Sequence, residues 1–151
     1  MPYTESASGI KKNFGGNYVE VDLTNQKLYL YKNSELIMSS NIVSGSVSQT
    51  HMTPTGVYKV YSMEKNTVLR GADYASPVSF WMPFNGGVGF HDATWRSSFG
   101  GTIYQYNGSH GCINMPYEKA KNNSIIISVQ VIMLLCTAVS LMCLDSIEAV
   151  I

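Results

Sequence analysis

Apolar and polar residues alternate in short runs once the first sixteen residues have passed. In the stretches YVEVDL and KLYLY, the apolar residues that share one face of each run are Val19, Val21 and Leu23, then Leu28 and Leu30. Period-two alternation interrupted by turn sequences such as TNQ and KNSE is typical of antiparallel strands joined by tight turns. The pattern predicts a meander of short antiparallel strands at the start of the folded region.

Further along the chain the pattern predicts three more strands and one helix. The stretch MTPTGVYKVYS reads as a loop followed by a strand, and SPVSFWMPF and GGVGFH read as two strands that meet at NGG. Positions 92–107 show little periodicity and are predicted to form a long loop, which in a compact domain usually carries function. A helix is expected over Tyr117–Lys121, because Pro116 suits a first helical turn. The chain is therefore predicted to be mainly β.

Net charge, cysteine count and the N-terminal segment limit the kinds of protein that this chain can be. The chain has 151 residues and a formal net charge of zero, with Lys11–Lys12 as its longest basic run, so no nucleic-acid partner is indicated. Its cysteines, at 112, 136 and 143, are odd in number and form no recognisable disulfide framework. Residues 1–16 lack the apolar segment of a signal peptide and are predicted to be a flexible leader or linker.

The stretch YNGSHGCINMP, Tyr106–Pro116, presents its cysteine beside an imidazole and between glycines. One interpretation is a surface turn with a small buried thiol, since free cysteine often serves as a small apolar residue. The other is a nucleophile, because a neighbouring histidine or a cluster of backbone N–H groups lowers a thiol pKa. Glycines also let a substrate approach the backbone closely. The local residues favour the nucleophile without deciding between the two.

A cysteine nucleophile needs a base, and the chain offers His51, His91 and His110. His51 lies in a polar segment predicted to be a surface loop, whereas His91 ends an apolar strand, where a side chain is held rigidly and can face a cleft. A zinc site from His91, His110 and Cys112 has suitable ligand types but none of the usual paired spacings. The sequence therefore predicts neither a metal nor another cofactor.

A strand that ends in GFHD, a gap over positions 92–108 and then SHGCIN together resemble the L,D-transpeptidase catalytic domain, the YkuD-like family, in its Gram-positive form. The stretches TPTGVYKV, SPVSFWMPFNGGVGFHDATWRSSFGGTIY and NGSHGCINMPYEKAK are similar to that family as well. The resemblance covers roughly residues 17–121. It implies a β-sandwich-like catalytic domain with a short helix after the catalytic cysteine.

The resemblance also implies a reaction. Cys112 would attack a carbonyl of a peptidoglycan tetrapeptide stem, release D-alanine and hold a thioester, which an amine of a second stem would resolve into a cross-link. His91 would transfer the proton and Asp92 would orient His91. Residues of the oxyanion region would be Ser109, His110 and Gly111, with backbone N–H groups near Cys112. The residues expected to bind substrate are Trp81, Trp95, Arg96, Tyr104 and Asn114.

Further expectations follow from the family. Carbapenem-type inhibitors are expected to acylate the cysteine, and the setting is expected to be extracytoplasmic, at the cell wall or the outer face of a bacterial membrane. Two alternatives stay open: an L,D-carboxypeptidase that hydrolyses the same bond, and a non-catalytic cell-wall-binding or membrane-tethered protein. The thiol and imidazole are also candidates for a resting ion pair.

The tail over residues 122–151 departs from the family. Ile125–Leu144 is an uncharged run with about the length of a membrane span, so membrane association is expected only if this tail is genuine. A second interpretation is a frameshift, because suitable codons read in a shifted frame give an ending like that of the family. A replaced tail is expected to leave the sheet without its last strand, which would expose a sheet edge.

Overall fold

The computed structural model describes residues 4–5, 11–12, 16–124 and 130–134. Two short strands, β1 (Thr4–Glu5) and β2 (Lys11–Lys12), form an antiparallel pair within the segment predicted to be a leader. The remaining strands form two larger sheets.

The first sheet has five strands: β3 (Tyr18–Asp22), β4 (Lys27–Lys32), β5 (Glu35–Asn41), β6 (Gly56–Lys59) and β11 (Gln130–Leu134). Their order across the sheet is β5-β4-β3-β11-β6. The pairs β3–β4 and β4–β5 are antiparallel, so the predicted meander is confirmed.

The second sheet has four strands: β7 (Glu64–Arg70), β8 (Ala75–Asn85), β9 (Val88–Asp92) and β10 (Ile113–Met115), in the order β10-β9-β8-β7. The hairpin predicted around NGG is confirmed as β8–β9. Strand β7 was not predicted from the sequence, because its first residues, EKNT, are polar and show no alternation. The parallel pairing of β10 with β9 was not predicted either.

Two short helices, α1 (Ile103–Asn107) and α2 (Tyr117–Asn123), accompany the second sheet. The helix predicted after Pro116 is confirmed by α2. The prediction of a continuous loop over positions 92–107 is wrong at both ends, since β9 includes Asp92 and α1 occupies the last turn. A five-residue helix without a buried residue is too short to show a helical period in the sequence.

The hydrophobic core lies between the two sheets. Apolar side chains of the first sheet meet those of the second in one buried cluster, whose largest members include Leu28, Leu30, Met82, Phe90, Ile113 and Met115. Burial of these side chains is the main stabilising term in a domain of this size. The fold is mainly β with a short helix after the cysteine motif, as predicted.

The structure contradicts one expectation for the tail. The backbone of β11 lies between β3 and β6, parallel to β3 and antiparallel to β6, so the first sheet has its central strand. Backbone hydrogen bonds do not depend on side-chain identity, and the β-branched residues in QVIML suit a strand. The frameshift interpretation stays a prediction, and the rest of the apolar run, at 125–129 and 135–144, lies outside the described residues. Within the described part of the chain, no helix is long and apolar enough to span a bilayer.

Gln26, in the turn between β3 and β4, connects the first sheet to the segment that follows β5. Its side-chain amide donates to the Leu23 carbonyl at 2.7 Å and to Ser44 Oγ at 2.8 Å, and its Oε1 accepts from the Ser44 N–H at 2.9 Å. The residue is fully buried, so these groups have no water to replace the bonds. Gln26 therefore fixes the position of Ser44.

Replacement of this side chain tests that connection. We expect Gln26→Leu to lower the free energy of unfolding by about 2–5 kcal/mol, because it leaves buried donors and acceptors unpaired. Thr24→Ala, in the same turn but exposed, is the control and is expected to change stability by less than about 0.5 kcal/mol. Urea unfolding followed by fluorescence measures both, and equal midpoints for the two variants would contradict the role assigned to Gln26.

Candidate active site

The cysteine motif opens onto a cavity of about 290 Å³ at one end of the second sheet. Strands β7, β8 and β9 contribute one side and the loop that leads into β10 contributes the other. Its lining residues include Arg70, Tyr74, Trp81, His91, Arg96 and Cys112. The site therefore combines a thiol, an imidazole, aromatic rings and two guanidinium groups.

The parallel pairing of β9 with β10 brings the candidate nucleophile and base together. In this register Asn114 lies opposite His91, and Cys112 immediately precedes β10. Parallel neighbours require a long crossover connection, and here residues 93–112 provide it. A gap that looks featureless in the sequence thus separates two residues that line one cavity.

A segment after β5, residues 43–46, holds the cysteine loop in place through backbone hydrogen bonds. Val43 and Asn114 exchange N–H···O bonds of 3.0 and 2.9 Å, Ser109 N–H donates to the Ser44 carbonyl at 2.9 Å, and Ser46 N–H donates to the Ser109 carbonyl at 2.9 Å. This segment, which we call the strap, belongs to the chain that leaves the first sheet. It fixes the loop on both sides of Cys112.

The turn at Gly111 needs its own side-chain support. Gly111 has φ +132°, a conformation that strains any residue with a Cβ. The Ser109 hydroxyl donates to the Cys112 carbonyl and accepts from the Gly111 N–H at 3.1 Å. The predicted oxyanion donor at Gly111 is therefore engaged by Ser109, and Ser109 closes the turn.

Thr53 connects this turn to the strap, and the sequence analysis did not identify it as a site residue. Its hydroxyl donates to the Gly111 carbonyl and accepts from the Gly45 N–H at 3.0 Å. Gly45 has no room for a side chain, since a Cβ there would lie 1.7 Å from the His51 carbonyl oxygen. The TPTG stretch contains the residue, but only the fold shows where its hydroxyl points.

His91 is buried and held in one tautomer. Its Nδ1 donates to the Asp92 backbone carbonyl at 2.8 Å, so Nε2 is the nitrogen that has a free lone pair. Two indoles are near the ring, with centroids 6.0 Å away for Trp81 and 5.9 Å away for Trp95, both tilted to its plane. This arrangement orients the imidazole as a proton acceptor.

Asp92 contacts His91 through a different atom from the one expected of an orienting carboxylate. Its carboxylate oxygens accept from the backbone N–H groups of Ser79, at 2.9 and 3.2 Å, and of Phe80, at 2.9 Å. The carboxylate therefore fastens β8 to β9, and the backbone carbonyl makes the contact with the imidazole. Asp92 positions His91, but not by a carboxylate–imidazole hydrogen bond.

Burial sets the charge state of the thiol and the imidazole. Desolvation lowers the pKa of His91 below its usual value, an effect that its hydrogen bond to the Asp92 carbonyl only partly offsets. Desolvation likewise raises the pKa of the Cys112 thiol, against a smaller lowering by a hydrogen bond with the Gly89 backbone. Both directions disfavour the charged forms and therefore favour a neutral thiol and a neutral imidazole over an ion pair. The structure does not support a resting ion pair.

Three residues contact the cysteine motif in ways that the sequence did not predict. The Cys112 thiol donates to the Gly87 carbonyl at 3.3 Å. The Tyr74 ring stacks on His110 at 4.3 Å, and His51, predicted to lie in a surface loop, is half-buried with its ring 5.3 Å from that of His110. These contacts join residues far apart in sequence, which explains why motif reading missed them.

Four of the five residues predicted to bind substrate line the cavity, namely Trp81, Trp95, Arg96 and Asn114. The side chain of Tyr104 is not among the lining residues, and its backbone carbonyl accepts from the Val47 N–H at 3.2 Å. The contact recorded for Tyr104 is therefore a backbone hydrogen bond to Val47, the residue that follows the strap, and not a contact with the cavity. The predicted oxyanion-region residues Ser109 and His110 also line the cavity.

Two lining residues have polar atoms that the described residues leave unpaired. Asn114 is 2% exposed, yet its Oδ1 has no hydrogen-bond partner. The Arg96 Nη1 donates to the Asn107 carbonyl at 2.8 Å, while its Nε has no partner. Unpaired buried polar groups cost stability and are rare, so a cavity that contains them is prepared for a polar ligand. In the same part of the chain, no group of three or more His, Cys, Asp or Glu residues is arranged to hold a metal ion.

Fold and cavity together define a cysteine–histidine site on a two-sheet β domain, and comparison with known proteins assigns it to a family. Residues 16–122 match the family model of the L,D-transpeptidase catalytic domain, YkuD. The chain belongs to this family. A search of curated proteins found no match.

Solved structures of Enterococcus faecium L,D-transpeptidase are similar to this chain. A cysteine-to-serine mutant of that enzyme is 34% identical with a TM-score of 0.75, over 83% of this chain and 55% of the other. The catalytic domain of that enzyme is 35% identical with a TM-score of 0.71, over 81% of this chain and 99% of the domain. The same domain acylated by ertapenem is 36% identical with a TM-score of 0.69, over 81% of this chain and 99% of the other. This chain thus spans about half the length of the longer enterococcal structure.

The raised pKa of Cys112 and the lowered pKa of His91 predict how the rate of Cys112 alkylation by iodoacetamide changes with pH. A neutral resting thiol reacts through its small thiolate fraction, so the rate should keep rising with pH through and beyond 9.0, the ordinary pKa of a cysteine thiol. Peptide mapping by mass spectrometry separates Cys112 from Cys136 and Cys143. A plateau of the Cys112 rate below 6.5, the ordinary pKa of histidine, would indicate an ion pair and contradict the neutral pair.

Thr53 offers a test of the support beneath the turn. We expect Thr53→Val to slow the acylation of Cys112 by a carbapenem by about tenfold, because the turn loses a hydrogen bond that positions it. The same substitution should lower the free energy of unfolding by about 1–3 kcal/mol, because two buried hydrogen bonds are lost. Thr53→Ser keeps the hydroxyl and is expected to restore most of the acylation rate. If the valine and serine variants are acylated equally slowly, the hydroxyl is not the group that positions the turn.

Proposed function

We propose that this domain is an L,D-transpeptidase that cross-links peptidoglycan stem peptides through a thioester on Cys112. The observation that carries the proposal is the placement of Cys112 and His91 on the wall of one cavity by the β9–β10 pairing. Family membership supports the same chemistry. The donor substrate is a tetrapeptide stem that ends in D-alanine.

In the first half of the reaction the peptide bond before D-alanine is exchanged for a thioester. The Cys112 thiol gives up its hydrogen bond to the Gly87 carbonyl and transfers its proton to His91 Nε2. The sulfur then forms a bond to the carbonyl carbon, and the C–N bond breaks. His91 returns the proton to the departing nitrogen, so D-alanine leaves as an amine with its carboxylate unchanged.

In the second half an amine of another stem attacks the thioester. His91 accepts a proton from that amine, the new C–N bond forms, and the sulfur leaves and recovers the proton as a thiol. No metal or other cofactor takes part in either half. Water in place of the amine would turn the same intermediate into the product of an L,D-carboxypeptidase.

The neutral resting pair suits this sequence of steps. Because the imidazole is uncharged, it is ready to accept the thiol proton, and its Nδ1 hydrogen bond to the Asp92 carbonyl holds the correct tautomer. The imidazolium that forms has the Trp81 and Trp95 rings as neighbours, and aromatic rings stabilise a nearby cation. The unpaired Asn114 Oδ1 is available to a peptide N–H of the donor stem.

The proposed substrate determines the setting. Peptidoglycan stems lie at the cell wall and the outer face of the bacterial membrane, so the domain would work there. Carbapenems are proposed as inhibitors, since the ertapenem-acylated enterococcal domain is similar in sequence and structure over most of this chain. Membrane association through the tail is not proposed, because β11 (Gln130–Leu134) places the middle of the apolar run in the first sheet.

Intact mass after incubation with a carbapenem tests the nucleophile. We expect one adduct with the mass of the whole drug, because ring opening by a thiol adds the molecule without loss of atoms. Cys112→Ala is expected to form no adduct, and it retains Cys136 and Cys143 as internal controls for nonspecific reaction. An adduct of equal extent on the alanine variant would exclude Cys112 as the site of acylation.

Product analysis on a tetrapeptide stem separates the possible reactions. Release of D-alanine with a cross-linked dimer supports the transpeptidase, and release of D-alanine with a tripeptide alone identifies the carboxypeptidase. Binding to peptidoglycan without any product, unchanged in Cys112→Ala, would identify a non-catalytic wall-binding protein.

A further inference from the structure

The cavity is positively charged because of two arginines. Among its described lining residues, Arg70 and Arg96 carry formal charge, and no aspartate or glutamate is present. A cavity of this kind attracts anions and repels cations close to the thiol. The ligand of the cavity should therefore present an anionic group.

The two arginines differ in their existing contacts. Arg96 is half-buried, and its Nη1 is committed to the Asn107 carbonyl at 2.8 Å. Arg70 is exposed, and among the described residues its guanidinium has neither a hydrogen-bond nor an ion-pair partner. Even Asp73, in the same hairpin turn, makes no ion pair with it. Arg70 therefore keeps both edges of its planar fork available to a ligand.

The position of Arg70 is fixed by the turn that follows it. Arg70 is the last residue of β7 and pairs with Ala75 of β8, and the Gly71 N–H donates to the Tyr74 carbonyl at 3.0 Å across the turn. The Tyr74 ring stacks on His110, which lies two residues before Cys112. The hairpin end is thus fastened to the cysteine loop, and Arg70 lines the cavity beside that contact.

We propose that Arg70 is the specificity-determining residue that binds a carboxylate of the donor peptide. This inference rests on the proposed function for the identity of the peptide, but not for the anion preference of the cavity. A guanidinium binds a carboxylate in a bidentate manner, with geometric specificity as well as charge attraction. Whatever the diamino acid at its third position, the donor stem offers the terminal carboxylate of D-alanine and the free carboxylate of the D-glutamate residue. Arg70 was not among the residues that the sequence predicted to bind substrate, whereas Arg96 was.

A matched pair of small reagents tests the anion preference without any peptide. Iodoacetate and iodoacetamide alkylate the same thiol and differ by one negative charge. With Arg70 present, iodoacetate should be favoured at Cys112, and Arg70→Gln should lower the iodoacetate-to-iodoacetamide rate ratio by about three- to fivefold. Because both reagents depend equally on the thiolate fraction, the ratio cancels any change in the thiol pKa.

Three further variants control this measurement. Arg70→Lys keeps the charge and should retain most of the ratio, whereas Lys65→Gln removes a charge from the same strand away from the cavity and should leave the ratio at its original value. Arg96→Gln removes the second guanidinium of the cavity and shows how much of the rate ratio depends on it. An unchanged ratio in Arg70→Gln, or a loss found in Arg96→Gln alone, would overturn the assignment.

Synthetic stems identify the carboxylate. We expect Arg70→Gln to lower the rate constant for acylation by the natural donor by about 10- to 100-fold, the effect of losing a charge-assisted pair. The substitution should have little further effect on a donor in which the recognised carboxylate is already an amide. A donor amidated at D-alanine and one amidated at D-glutamate distinguish the two sources, and equal sensitivity of both amides and the natural donor would contradict carboxylate binding.

The two sets of measurements separate the two proposals. If no stem acylates Cys112 while the alkylation ratio falls in Arg70→Gln, the proposed function fails and the anion preference stands. If stems are cross-linked but neither the ratio nor the acylation rate responds to Arg70, the function stands and the inference fails.

Discussion

The parallel pairing of β9 with β10 is the constraint on which the site depends. It places Asn114 opposite His91 and brings Cys112 to the end of the neighbouring strand. A parallel pair has no hairpin to set its register, so the chain must hold the incoming strand by other means. The strap at residues 43–46 and the Gln26 side chain supply that hold from the first sheet. The reacting groups are therefore positioned by both sheets.

Burial has two effects on the chemistry. It disfavours the thiolate and the imidazolium at rest, yet opposite charges attract more strongly in a poorly solvated site once the proton has moved. The indoles near His91 offset part of the cost of the charged ring. Burial therefore keeps the thiolate fraction of the resting sulfur small.

Sequence patterns identify the local features and the motif, but not the contacts across the fold. The alternation in β3 and β4, the NGG hairpin and the nucleophile motif all depend on neighbouring residues, so they are visible in the chain. The long-range contacts of Thr53, Tyr74 and Gly87 depend on tertiary packing and leave no local signal. The role of Asp92 shows the same limit, since the sequence names the residue and only the fold shows that its carbonyl, not its carboxylate, contacts the imidazole.

The central position of β11 has a consequence for the order in which the protein can form during synthesis. The strand lies between β3 and β6, although it follows both His91 and Cys112 in the chain. A ribosome therefore releases Cys112 and His91 before the first sheet can be completed. Until residues 130–134 emerge, β3 lacks a neighbour on one side, and the nascent domain presents an unpaired edge to chaperones or to other chains. Translation that stops shortly after the cysteine motif would yield a chain with every reacting group and an unfinished sheet.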